Sequence, residues 1–500
     1  MMLSLAGLLT AGRVHGNGNR QQNRMFWRGI LGKDSFSFAP LETSMADNKV
    51  RTQHTTPRDS LARFHGVSED GEMHRRPRLL FLAYPFPPLR STACVRTWNI
   101  AKHLARLGWD IIVVTPHPSV WRRLDNPEEM LAALDSDGIR RIFTDHRWRC
   151  LSPDHLSCWN QGLGWLVGGV CRKIVQRLSI DKEIGWLKAA EWACTTVSAK
   201  DIDVILATGT PFAAFRLAER LSARLGCPYV LDYRDPWTGN PHASRPARPA
   251  IIREEARLLA GCAAATIVSP SWGLAMAHQF GVGAKVHVIT NGYDPEELKS
   301  VKPYDFGHFA VVYAGDFYPP KRVISPIMAT LERLQEIMKN GQCGAWFFHY
   351  YGGDENHVQE EAQRFGVMER VRLHGSVPRT EALSAVRGAN VAVVITSIAE
   401  EATMADKGIV PGKMFEILGL GTPMLLVAPP ESDVATIAEG TGLARRFTGG
   451  DISGMAAYLT DAMGGQAPEL RDRETYAWTN IVKKMERVLC TALGLASRNA

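Results

Sequence analysis

Lys413 and Glu416 stand three positions apart in the stretch Gly408 to Pro423, Gly-Ile-Val-Pro-Gly-Lys-Met-Phe-Glu-Ile-Leu-Gly-Leu-Gly-Thr-Pro. On a helix that spacing puts a cation and a carboxylate on one face. The ammonium can meet phosphate oxygens, and an ionised carboxylate, which only accepts hydrogen bonds, can take both hydroxyls of a ribose diol. The same pair also serves as an ordinary solvated ion pair on an amphipathic helix, so the neighbourhood has to decide between the two. A second group of this kind is Gly315, Asp316, Phe317, Tyr318, Pro319, Pro320, Lys321 and Arg322, which follows the apolar run Ala310 to Ala314. A glycine after a strand lets backbone approach a ligand. Two cations at the start of the next helix oppose its macrodipole unless an anion is bound there. The third group is Asp232-Tyr233-Arg234-Asp235-Pro236-Trp237 after the apolar run Tyr229 to Leu231. Arg234 and Asp235 at the end of a buried strand are placed either for chemistry or as an ion pair capping the following helix.

The elements that must carry these groups follow from periodicity. Gly408 to Pro423 lies between the apolar runs Val391 to Ile395 and Met424 to Val427, which read as buried strands. It is predicted to be a loop opening into a short helix, with Pro411 at the first helical position and Gly421 and Pro423 marking the exit. Such a helix starts at the carboxyl end of a strand, where open α/β sheets bind ligands and free N–H groups attract anions. Earlier in the chain, Leu79 to Ala83, Val95 to Leu107 and Asp110 to Thr115 read as a right-handed strand–helix–strand unit. Further strands are expected at Asp203 to Ala207, Ala264 to Ser269, Val286 to Thr290, Trp346 to Tyr350 and Val371 to Leu373, with helices between them. The predicted class is α/β with two Rossmann-like domains. The divisions expected are a disordered tail over 1–76, a first domain over 77–300 with an insertion around 116–200, a second domain over 301–475, and a returning helix and tail over 476–500. The tail is either a regulatory segment or an overextended start of the reading frame.

Five hundred residues, 45% of them hydrophobic, suffice for two α/β cores. A net charge of +7 without long basic runs favours contact with phosphates or an anionic membrane surface and does not call for nucleic acid. The nine cysteines include no Cys-x-x-Cys pair, and Cys227, Cys262 and Cys343 lie in apolar segments, which suits reduced thiols in a cytoplasm. No apolar run reaches the roughly 18 to 20 residues of a membrane span. Trp121, Trp148, Trp159, Trp165, Trp186 and Trp192 are interleaved with basic residues, and Trp159 to Leu178 either rests on an anionic bilayer or packs on the first domain.

The run Lys-x-Phe-Glu-x-Leu-x-x-Gly-x-Pro followed by a strand resembles the donor-binding signature of retaining GT-B glycosyltransferases, in particular family 4. The resemblance covers about residues 78 to 493. It implies that Glu416 holds the donor ribose, that Lys413 lies near the diphosphate, and that Gly315, Lys321 and Arg322 match a phosphate-contacting loop. Val377, in the loop after the strand Val371 to Leu373, falls beside the nucleobase by the same resemblance. Asp235 and Arg234 match a motif at the floor of the inter-domain cleft and become candidates for contact with acceptor or donor sugar. The loop Pro87 to Ala93 matches the first donor-facing loop, with Ser91 and Thr92 able to supply hydroxyls. Arg96 matches a recurrent arginine at the start of the next helix, as an anion contact or a plain surface side chain. Two departures stand out. Gly408 occupies the position where the motif has a second Glu, and the first loop contains no glycine.

The function implied is transfer of a sugar from a nucleotide-diphosphate sugar to a saccharide or lipid-linked saccharide, as in surface polysaccharide assembly. It would proceed with retention, without metal and without a cofactor, in the cytoplasm, with peripheral contact at the inner face of the plasma membrane as an option. Asp201 and Asp203 precede a strand, and Asp135 and Asp137 fall in a polar loop, so neither pair sits where a metal-assisted transfer needs it. A sugar-nucleotide epimerase of the same fold, or a binding protein with a degenerate site, are the alternatives. A Rossmann dehydrogenase would require Gly-x-Gly-x-x-Gly after the first strand.

Overall fold

The apolar runs become two parallel sheets in a computed structural model of the chain, which describes residues 75–89, 91–121, 138–146, 169–170, 173, 183–241, 243, 246–339, 345–465 and 471–495. Residues 1–74 of the expected tail, Asp135, Asp137, Trp148 and most of Trp159 to Leu178 lie outside the described residues.

The first sheet is built from β1 (Arg78–Leu82), β2 (Asp110–Pro116), β3 (Arg140–Thr144), β4 (Val204–Gly209), β5 (Tyr229–Tyr233), β6 (Ala264–Ile267) and β7 (Val286–Val288). Its strand order is β3-β2-β1-β4-β5-β6-β7, with every neighbouring pair parallel. The connecting helices are α1 (Thr92–Arg106), α2 (Ile184–Ala193), α3 (Ala213–Leu225), α4 (Pro249–Gly261) and α5 (Pro270–Phe280). Parallel strands need such crossovers, and helices on both faces explain why β1, β4 and β5 are nearly continuous apolar runs. Trp186 on α2 is fully buried and donates to Thr144 Oγ1 at 2.7 Å, whereas Trp192 on the same helix is exposed.

After α6 (Pro295–Ser300), the second sheet takes the order β10-β9-β8-β11-β12-β13. Its strands are β8 (Phe309–Ala314), β9 (Trp346–Tyr351), β10 (Val371–Leu373), β11 (Val391–Ile395), β12 (Met424–Val427) and β13 (Ala444–Phe447), again all parallel. Its helices are α7 (Ser325–Lys339), α8 (Glu355–Arg364), α9 (Arg379–Gly388), α10 (Met404–Lys407), α11 (Gly412–Leu420), α12 (Asp433–Gly440) and α13 (Ile452–Met463). In each sheet the strand order reverses once, between β1 and β4 and between β8 and β11, and such a reversal opens a crevice at the carboxyl ends of the strands.

The last helix, α14 (Trp478–Ala492), returns to the first domain. Its Trp478, Ile481, Val482, Met485 and Leu489 join Leu79, Phe81, Ile100 and Leu104 in one core. Each such side chain contributes about 1.5–3 kcal/mol of transfer free energy. The outgoing and returning strands of chain are bonded where they cross: Tyr293 N–H donates to Tyr476 O at 3.0 Å, and Trp478 N–H to Tyr293 O at 2.9 Å.

The two sheets present their carboxyl ends to each other. Ser271 follows β6 and Asp433 follows β12. The Ser271 N–H and Oγ–H each donate to the Asp433 carboxylate at 2.8 Å, with both residues buried. Beside them the Trp272 indole N–H donates to Ala405 O on α10 at 2.8 Å.

Candidate functional site

The helix α11 begins one residue later than predicted. Pro411 caps it in an extended conformation, and Gly412 opens the helical run. Met414, Phe415, Ile417 and Leu418 face the core, which leaves Lys413 and Glu416 together on the other face, as their spacing requires. The Lys413 side chain runs toward the end of β8. Its Nζ donates to Ala314 O at 3.1 Å and lies 3.7 Å from the centroid of the Tyr313 ring. Gly315 comes next, at φ +130°, a conformation that favours glycine, and a Cβ there would lie 3.2 Å from Lys413 Nζ.

Arg322 is the second cation of this group. Its Nε is buried without a hydrogen-bond partner, and its guanidinium lies 5.0 Å from the Tyr318 ring centroid. Burial, and next the Arg322 charge, hold the pKa of Lys413 well below its ordinary value, with Asp316 and Glu416 opposing. Among the described residues neither Lys413 nor Arg322 enters an ion pair. Two cations that repel each other and that neither Asp316 nor Glu416 engages in an ion pair form a site that an anion relieves.

Lys321 and Arg322 precede α7 by a few residues, in a turn where Tyr318 and Arg322 exchange backbone hydrogen bonds at 2.9 and 3.0 Å. The macrodipole argument made from the sequence therefore does not apply to them, and the proximity of Arg322 to Lys413 takes its place. Lys321 turns away, to the buried Asp406 carboxylate on α10.

Glu416 is partly buried, and its Oε1 accepts from Arg379 Nη1 at the start of α9. Burial pushes its carboxyl up from the usual range, and Arg379 works against that push. Arg379 also holds Glu297 of α6, with Nε to Oε1 at 3.0 Å and Nη2 to Oε2 at 3.2 Å. Val377, two residues before Arg379, is partly buried against the second-domain core. A cavity of about 80 Å³ opens among Ala314, Arg379, Lys413 and Glu416.

In the first domain, Arg234 braces the loop after β4: its Nε donates to Gly209 O at 3.1 Å and its Nη2 to Thr210 O. Asp235 accepts no hydrogen bond among the described residues, and burial raises its pKa while Arg234 opposes the rise. The loop carrying both is fixed by Trp237, stacked on Phe212 at 4.8 Å, and by Glu255 of α4, which accepts from Thr238 N–H at 3.2 Å. Arg234 thus anchors a loop, rather than capping a helix, and Asp235 is left with a free carboxylate.

Arg96 is neither a surface side chain nor an open anion contact. It is 2% exposed and holds Asp232 through Nη2 at 2.6 Å and Nε at 3.1 Å, while its Nη1 donates to Thr290 O and Asn291 Oδ1. Ser91 is exposed, with its Oγ 3.2 Å from Cys94 Sγ; the side chain of Thr92 lies outside the described residues.

Gly408 has a steric explanation. A Cβ there would lie 2.2 Å from Trp272 Cδ1, so the indole of the first domain fills the space that a glutamate would enter. Sequence reasoning missed Arg379, Glu297, Glu255 and Trp272. For Arg379 a weak signal existed, since it follows Val377-Pro378 in a loop at a strand's carboxyl end.

Residues 91–292 match the family described as Glycosyl transferase 4-like domain. Over these residues the chain is similar to that family. No curated protein matches it. Solved structures similar to it include a sucrose-phosphate synthase from Thermosynechococcus elongatus, at 15% identity and TM-score 0.54, covering 84% of this chain and 100% of that one. Anabaena Alr3699/HepE in complex with UDP and glucose is similar at 15% identity and TM-score 0.51, over 83% of this chain and 100% of that one. A glycosyltransferase from Rickettsia africae ESF-5 is similar at 12% identity and TM-score 0.51, over 85% and 100%. The fold of the chain, two parallel sheets each crossed by helices, is GT-B.

Proposed function

We propose that the protein transfers a glycosyl group from a nucleoside-diphosphate sugar to a saccharide or lipid-linked saccharide, with retention of configuration and without a metal ion. The observation that carries this reading is the unpaired Lys413 and Arg322 beside Gly315 at the end of β8, next to a carboxylate suited to a ribose. The complex of Anabaena Alr3699/HepE with UDP and glucose supports a nucleotide sugar as the donor class. As the bond from the sugar to the diphosphate breaks, negative charge grows on the leaving oxygen. Fixed cations and the N–H groups opening α11 become worth more at that moment than in the ground state. Asp235, free and at the carboxyl end of the first sheet, is assigned to a hydroxyl of the acceptor or the transferred sugar, and Arg234 to holding its loop.

No helix among the described residues is long and apolar enough to cross a membrane. The described cysteines Cys94, Cys194, Cys227 and Cys262 are buried thiols outside any disulfide. Both fit a cytoplasmic enzyme that meets a lipid-linked acceptor at the inner face of the plasma membrane, in polysaccharide biosynthesis.

Calorimetry with UDP, GDP and ADP tests the reading. The wild-type protein is expected to bind one of them, and Lys413→Ala to bind it about 10 to 100 times more weakly, as befits a lost charge-assisted contact. Glu416→Gln is expected to weaken it by a similar factor. Absence of wild-type binding, or unchanged affinity in both variants, would overturn it.

A further inference from the structure

The reach of Arg379 links three elements that the sequence keeps apart. Its guanidinium takes Glu297 of α6 with two nitrogens and Glu416 of α11 with the third, so one side chain at the start of α9 fixes the carboxylate opposite it. The bond engages Oε1 of Glu416 and leaves Oε2 without a hydrogen-bond partner among the described residues. A carboxylate held by one oxygen, at a cavity that Lys413 also lines, keeps acceptor capacity for a diol. We infer that Arg379 is a positioning residue for donor recognition, keeping Glu416 oriented and ionised so that it selects a ribose over a deoxyribose; this rests on the proposed function above.

Orientation is the first half of the argument. Both oxygens of Glu297 bind Arg379, and bidentate pairing fixes the plane of a guanidinium more firmly than a single contact does. Glu297 therefore serves as the fixed point, and Arg379 transmits its position to Glu416.

Ionisation is the second half. The groups facing Glu416 are Arg379 from α9, Glu297 from α6 and Lys413 from α11 itself. β8 and β11 offer only Val312, Ala314, Ala392 and Val393 to the cavity beside it. Burial and Glu297 push Glu416 toward its protonated form, and Arg379 and Lys413 oppose them. A protonated carboxyl would present a donor where the ribose hydroxyls also bring donors. Donor recognition by this route is complete above the pKa of Glu416 and is lost as pH falls through it. Removing Arg379 raises that pKa, so the loss must move to higher pH.

The experiment measures, by calorimetry, the affinity of the tightest-binding nucleoside diphosphate among UDP, GDP and ADP and of its 2′-deoxy analogue, from pH 5.5 to 8.5. The ratio of the two cancels titration of the phosphates, which both ligands share. In the wild type the ratio is expected to be about tenfold or more, the value of a hydrogen bond to a charged acceptor. Arg379→Gln should bring it to within about twofold of unity near neutral pH and partly restore it at pH 8.5. Arg379→Lys, which keeps the charge without the fork, should fall between.

A wild-type ratio retained by Arg379→Gln across the pH range overturns the inference while leaving the proposed function intact. Wild type that binds none of the three diphosphates removes both. If Arg379→Gln does not fold, judged by circular dichroism, Glu297→Gln decides the matter. Freed from its anchor, Arg379 should hold Glu416 less well and the ratio should fall several-fold; an unchanged ratio sinks the inference.

Discussion

Each domain holds an arginine–carboxylate pair at the carboxyl side of its sheet, and the two pairs differ in how fully their surroundings satisfy them. Asp232 accepts from Arg96 twice, from Thr208 Oγ1 at 2.9 Å and from Thr266 Oγ1 at 2.7 Å. Burial alone would raise its pKa, yet the Arg96 charge and these bonds outweigh burial and hold it below the usual range. Glu416 has only Arg379 as a bonded partner, and there burial prevails and the pKa is raised. Arg96 is 2% exposed, whereas the Arg379 side chain is 41% exposed. A carboxylate with every lone pair engaged ties strands together, and one with capacity left over can engage a ligand. The same chemistry thus serves as a clamp in the first domain and, on the function proposed, as a receptor in the second.

The comparison can be broken most directly by removing each arginine in turn. Arg96→Ala leaves Asp232 charged and sealed from water, and the expected destabilisation is about 3–5 kcal/mol. Arg379→Ala leaves Glu416 in reach of solvent, and the expected cost is under about 1 kcal/mol. The first transition in a urea titration reads both; equal costs would mean that the two pairs do not differ in kind.

Glu255 sharpens the contrast from a third direction, as a carboxyl buried with too few donors and no cation. It is 1% exposed, and burial pushes it up to about 7 from 4.5, with Thr238 opposing. Because its folded value lies above its unfolded value, folding favours the protonated form. That stability is fully present below about pH 4.5 and is lost as pH rises to about 7, by about 3 kcal/mol. Glu255→Gln should therefore remove a downward slope in thermal midpoint between pH 5 and pH 8. A slope that survives the substitution would show that another group sets it.

What the sequence disclosed and what it withheld divide along sequence distance. The strands were legible because buried parallel strands are near-continuous apolar runs, and β1, β9, β10, β11 and β12 lie within a residue of their expected bounds. Lys413 and Glu416 were legible as a face because helical spacing is local. Arg379 reaches Glu297 across 82 positions and Glu416 across 37, and no periodicity reports such a contact. Arg96 was ambiguous for the same reason, since its partner Asp232 is 136 positions away. The departure at Gly408 could be noticed from the sequence but not explained, because Trp272 comes from the other domain.

The smallest effect concerns Lys321 and Arg322, adjacent in sequence and equivalent to the eye. Lys321 belongs with the clamps, since it pairs with Asp406, itself held by Thr403 Oγ1 at 2.7 Å. Its own side chain is 40% exposed, and water screens the pair. Lys321→Ala should therefore cost at most about 1 kcal/mol of stability and change nucleoside-diphosphate affinity less than threefold, within about 0.7 kcal/mol. Arg322 is assigned to the receptors by the function proposed: its buried Nε is unpartnered and its charge bears on Lys413. Arg322→Ala should weaken the same ligand about tenfold while costing little stability, because relief of its repulsion with Lys413 offsets the lost packing on Tyr318. Calorimetry on the two variants orders them, and a larger loss of affinity for Lys321→Ala would require the phosphate to draw Lys321 away from Asp406.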